Sequence, residues 1–146
     1  MTFETQVKLA IYGAFAADGR APSAQAIAVA LGVSYEDVVA AFAKLLTDRV
    51  LFLEPDGRTI RMAPPFSGVP TQHRVRVGGV EYFANCGWDA LGIPAALRRA
   101  GIVSSRCEQS GEPLTLAVAQ DGPEPSPFVF HSLVRASSWW DDLVFT

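Results

Sequence analysis

Cys86 and Asp89 stand three residues apart in Tyr82-Phe-Ala-Asn-Cys86-Gly-Trp-Asp89-Ala-Leu91. On a helix that spacing puts a thiol and a carboxylate on the same side of the first turn, where they can face one ligand and share a proton. Cys86 falls where a strand pattern gives way to a helical one. Backbone N–H groups at such a helix start favour the thiolate, so a lowered cysteine pKa is expected. Trp88, Leu91, Tyr82 and Phe83 are expected to surround the pair with apolar surface. Partial desolvation then raises the Asp89 pKa and suits it to carrying a proton. The spacing is a weak motif taken alone, because a buried cysteine beside a helix-dipole carboxylate is its commoner outcome. Cys107 is the other cysteine of the chain.

A chain of 146 residues suits one domain of ordinary size or two small ones sharing an interface. With 49% apolar and 18% charged residues, it can bury a real core. The net charge is −3, and neither half is basic: residues 1–65 hold six Lys/Arg against seven Asp/Glu, and the remainder six against eight. That balance argues against nucleic acid or an anionic membrane as partner. No apolar run reaches membrane-spanning length, and Met1-Thr-Phe-Glu-Thr5 lacks the basic start of a secretory signal. A cytoplasmic location is expected, where two cysteines are free thiols or ligands more often than a disulfide.

The elements that must position the pair read as α+β. Apolar residues recur at helical spacing over 3–17, again from Pro22-Ser23 to Gly32, and again after Ser34, whose spacing to Asp37 is that of a capping box. Segments 50–54 and 58–62 flank Asp56-Gly57 as a β-hairpin. Residues 1–64 therefore form a winged-helix-like three-helix module. Residues 63–70 are rich in proline and glycine and act as connector. Residues 65–146 should form a mostly antiparallel sheet with one helix. Its expected strands are 73–77, 80–83, 102–107, 114–119, 128–134 and 143–146. The helix runs from about Trp88 to Ala100, with Pro94 interrupting and restarting it.

The run from Tyr82 to Ala95, continued by Val103-Ser-Ser-Arg-Cys107, Ser110-Gly-Glu-Pro113 and Leu114-Thr-Leu116, resembles the core of the alkylmercury (organomercurial) lyases. The resemblance implies cleavage of carbon–mercury bonds by thiolate coordination and protonolysis. It assigns mercury binding to Cys86, proton movement to Asp89, and a structural role in the core to Cys107. It implies no resident cofactor, a small organomercurial as substrate and Hg(II) as bound product. An exogenous small thiol would release that product, with handover to a thiol or reductase partner. The lyases carry a second mercury-binding cysteine after an aromatic-rich segment. The comparable segment here, Ser137 to Thr146, reaches the last residue without one. Past Thr146 a cysteine codon, or a UGA triplet decoded as selenocysteine, is expected. Two other readings stand beside lyase activity. One is a mercury- or metal-binding relative without turnover. The other is a winged-helix DNA-binding regulator, weakened by the acidic residues Glu36, Asp37 and Asp48 in the third helix. His73 and His131 have no zinc-ligand spacing with the cysteines and read as strand or surface residues.

Overall fold

The computed structural model describes residues 1–141. Helix α1 (Phe3–Asp18) starts at Thr2, whose hydroxyl accepts from the Thr5 N–H at 3.2 Å. It buries Val7, Ile11 and Phe15, one residue per turn. Gly19 ends it in a left-handed conformation, and a Cβ there would lie 2.3 Å from the Glu81 carbonyl oxygen. Glycine is needed at that position both for its φ and for this close approach. Helix α2 (Ala24–Leu31) is capped by Ser23 and stopped by Gly32. In α3 (Tyr35–Thr47) the Ser34 hydroxyl accepts from the Asp37 N–H at 3.1 Å, as the spacing predicts, and donates to the Asp37 carboxylate at 2.6 Å.

Eight strands follow: β1 (Phe52–Leu53), β2 (Ile60–Ala63), β3 (Phe66–Ser67), β4 (His73–Val77), β5 (Val80–Ala84), β6 (Gly101–Arg106), β7 (Pro113–Ala119) and β8 (Gly122–Pro123). They form one antiparallel sheet in the order β1-β2-β3-β5-β4-β6-β7-β8. The fold is α+β, with the expected first hairpin in place and the expected strands 73–77 and 80–83 paired as a second hairpin across Gly78-Gly79. In β4 His73, Val75 and Val77 are buried while Arg74 and Arg76 are exposed, so one face of the sheet carries the core. Helix α4 (Gly87–Leu97) packs against β4, β5, β6 and β7, and α1 against β5.

Three local expectations are corrected. The connector holds a strand: β3 pairs Phe66 with both Ala63 and Ala84, so the sheet runs unbroken from the first hairpin into the second half. Phe66 is buried there, stacked on Phe15 with ring centroids 5.2 Å apart. Burial of one aromatic ring outweighs the local turn composition. Helix α4 does not restart at Pro94 but runs through it to Leu97. The ring forfeits one backbone hydrogen bond, yet it is buried against Gly101, where even a Cβ would stand only 3.2 Å from it. The 128–134 segment is not a strand. Its β-branched and aromatic residues favour pairing, but β7 already has β8 as its neighbour on the far side from β6. The expected strand at 143–146 lies outside the described residues. No single described helix is long and apolar enough to cross a membrane.

Candidate functional site

The chain turns from β5 into α4 at Asn85-Cys86, and Cys86 is the helix N-cap with extended backbone (φ −146°, ψ 178°). Asp89 occupies the first turn of α4, so strand end and helix start bring thiol and carboxylate together. Both line one pocket of about 80 Å³, walled further by Met62, Pro64, Asn85, Trp139 and Trp140. A water needs only about 10–15 Å³ on this measure, so the pocket admits several waters or one small ligand.

Each wall has its own anchor. Met62 lies in β2 of the first hairpin and is 3% exposed, paired with Phe52 and Ser67. Pro64 is held from behind by Tyr12 of α1, whose hydroxyl donates to the Pro64 carbonyl at 2.9 Å. A 3-10 turn (Ala136–Ser138) delivers Trp139 and Trp140. Trp140 stacks on Phe52 with centroids 4.7 Å apart, and the Trp139 indole N–H donates to the Ser132 hydroxyl and the Val134 carbonyl. Both indoles are half-buried pocket walls. The residues expected to surround the pair mostly lie elsewhere. Tyr82 is buried and donates to the Ala16 carbonyl, Arg20 covers Phe83, and Trp88 is 53% exposed beside Phe130. The missed walls Met62 and Pro64 come from the first half of the chain, and no local spacing ties them to Cys86.

Burial sets the electrostatics. Asp89 is pushed up from 3.8 to about 6 by desolvation, with hydrogen bonding to Cys86 pulling the other way. The expected lowering of the Cys86 pKa is corrected: it is raised, first by desolvation and next by the Asp89 charge. The N–H groups of Trp88 and Asp89 favour the thiolate but are outweighed, and the side chain makes no capping hydrogen bond. At neutral pH the pair therefore rests as a thiol next to a carboxylate, with one proton between them. Burial also raises the Tyr12 phenol, with Asp89 as a second cause, which places α1 within electrostatic reach of the site.

Cys107 is exposed in the turn between β6 and β7, not in the core. The core face of β6 fades before it: Gly101 and Val103 are buried, Ser105 on the same face is only half-buried, and Cys107 is exposed. The Ser110 hydroxyl and the N–H groups of Ser110 and Gln109 lower its pKa. His73 is a buried strand residue whose Nδ1 shares a 2.6 Å hydrogen bond with the Ser105 hydroxyl. His131 is exposed. Among the described residues no group of three or more His, Cys, Asp or Glu side chains could hold a metal ion.

Comparison with known proteins places the chain in a family. Residues 66–146 match the family model of MerB, alkylmercury lyase. Alkylmercury lyases of Bacillus cereus and Clostridium butyricum are each 32% identical over 80 residues, which is 53% of this chain and 36% of theirs. The match thus spans little more than a third of those relatives. The crystal structure of the mercury-bound form of MerB2 shares the fold at a TM-score of 0.63 and 24% identity, over 82% of this chain and 59% of that one. The family match covers more than half of the residues and includes the turn that joins Cys86 to Asp89, and the chain belongs to the alkylmercury lyase family.

Proposed function

We propose that the protein cleaves carbon–mercury bonds, with Cys86 as the mercury-binding thiol and Asp89 as the proton carrier. One observation carries this reading: a thiol and a carboxylate held near pKa 6 face the same small pocket. A buried carboxylate in that range gives and takes protons near neutral pH.

The steps balance without a redox partner. As the Cys86 sulfur binds the mercury of an organomercurial cation, its proton moves to the Asp89 carboxylate. Sulfur donation weakens the carbon–mercury bond and leaves carbanion character on carbon. Asp89 then gives its proton to that carbon. A carbon–hydrogen bond replaces the carbon–mercury bond, the hydrocarbon departs, and Hg(II) stays on the thiolate. An exogenous small thiol takes the ion as its thiolate and gives up its proton to Cys86, which restores the resting thiol beside the Asp89 carboxylate. Thiolate is the favoured protein ligand for so soft an ion. Trp139, Trp140 and Pro64 offer the organic group an apolar bed and limit the water around the transferring proton.

The test is release of hydrocarbon from an organomercurial by the purified protein in excess small thiol. Turnover above the thiol-only rate supports the reading. A folded protein that releases none above that rate sinks it.

A further inference from the structure

Among the described residues lining the pocket, Cys86 has one companion that carries sulfur. It is Met62, in β2 of the first hairpin. Its neighbours on the wall are different in kind. Pro64 offers a ring, Trp139 and Trp140 offer indoles, and Asn85 and Asp89 offer only hard oxygen and nitrogen. Alternation along β2 calls for an apolar side chain at position 62, and leucine or isoleucine would fill that need. A thioether adds what those cannot, a polarizable sulfur on an unbranched chain whose rotations can turn it toward a ligand.

We propose that Met62 is a second soft ligand of the site, so that mercury in this pocket is held between the Cys86 thiolate and the Met62 thioether. The inference rests on the proposed role of Cys86. Thioether and thiolate are both soft donors and select soft ions over hard ones such as magnesium or calcium. Because a thioether is neutral, it steadies the ion without cancelling its charge, and a competing small thiol can still displace it. The strand pairing that fixes Met62 also fixes Phe52, on which Trp140 stacks. The first hairpin thereby supplies a ligand on one side of the pocket and orients the wall on another.

The experiment uses protein carrying Cys107→Ser, which removes the exposed thiol from competition. One equivalent of mercuric chloride is added without small thiol, and the sulfur shell is read by mercury X-ray absorption. Affinity is then read by titration against N-acetylcysteine. Two kinds of mercury–sulfur contact are expected, one short and one longer. Met62→Leu, a volume-conserving change that a core tolerates, should remove the longer contact and weaken binding about tenfold. Met62→Cys should tighten binding beyond the parent, since a thiolate in that place is a stronger donor. A parent protein with a single sulfur contact overturns the proposal. So does a Met62→Leu protein with unchanged melting temperature and unchanged affinity. Cys86→Ser in the same titration separates the two readings. If it binds mercury as tightly as the parent, the role of Cys86 is wrong. If it loses binding while Met62→Leu does not, only the role of Met62 is wrong.

Discussion

The two thiols of this chain sit twenty-one positions apart in sequence and in opposite environments. Cys86 is half-buried at a helix start beside Asp89, and burial raises its pKa. Cys107 is exposed in a turn whose hydroxyl and N–H groups lower its pKa. Judged by thiolate fraction alone, Cys107 is the more reactive of the two. It does not line the pocket, and the carboxylates near it in sequence, Glu108 and Glu112, are exposed. What distinguishes the proposed site is therefore a carboxylate beside the thiol and a pocket that both face, and a low thiol pKa is a poor guide to it.

Removing each thiol in turn gives the largest expected difference. In the organomercurial assay Cys86→Ser should lose at least about a thousandfold in turnover, as for a group that bonds directly to the substrate. Cys107→Ser should stay within about twofold, with folding stability changed by no more than about 0.5 kcal/mol, because the side chain is exposed. Equal losses in the two variants would erase the distinction between the sites.

Asp89 is the next point of attack. Asp89→Asn keeps the shape and removes the proton carrier, so turnover should fall by roughly 10²–10⁴-fold. Mercuric ion should still bind, since the thiol remains. In the unsubstituted protein kcat/KM should rise through about pH 6 as the carboxylate becomes free to accept the thiol proton. That limb should vanish in the variant. An unchanged limb would assign the titration to some other group.

Much of this was legible in the residues. The three helices and both hairpins follow from apolar periodicity, from the caps at Ser23 and Ser34, and from Gly57 and Gly78-Gly79 in the turns. The pairing of Cys86 with Asp89 follows from helical spacing. What escaped depends on contacts distant in sequence. β3 is two residues of a turn-rich connector, made a strand by the neighbours Ala63 and Ala84. Met62 and Pro64 reach the pocket because that strand joins the first hairpin to β5, whose end leads into Cys86 and α4. The direction of the Cys86 shift escaped for an energetic reason. Helix N–H groups were visible in the pattern, whereas the burial that outweighs them is a property of the assembled walls. The expected core role of Cys107 failed similarly, because β6 leaves the core before that residue.

The raised carboxylate also predicts how stability follows pH. Asp89 titrates at about 6 in the fold and near 3.8 when free. Between those values the folded state holds more protons than the unfolded chain, so stability must fall as pH rises through that window. The contribution is complete below about pH 4 and gone above about pH 6. It amounts to at most about 3 kcal/mol, by the conversion of pKa shift to free energy. Denaturant melts of Asp89→Asn against the parent should show this slope removed and the variant the more stable at pH 7. A parent whose stability instead rises from pH 4 to 6 by the Asp89 contribution would mean that the carboxylate is paired rather than desolvated.

The smallest effect tests the two thiols directly, without mercury. Iodoacetamide reacts with thiolate, so its rate follows thiolate fraction and access together. Both favour Cys107, exposed and lowered, over Cys86, half-buried and raised. At pH 7.5 Cys107 should be alkylated faster by about tenfold or more, read by mass spectrometry of peptides at successive times. The order should hold in Asp89→Asn but the gap should narrow, because removing the negative charge beside Cys86 eases its ionisation. Preloading with one equivalent of mercuric ion should protect Cys86 if the pocket holds the ion better than a bare surface thiol does. Faster alkylation of Cys86 than of Cys107 in the free protein would break the comparison. The pocket thiol would then be a standing thiolate, and Asp89 would have no thiol proton to receive.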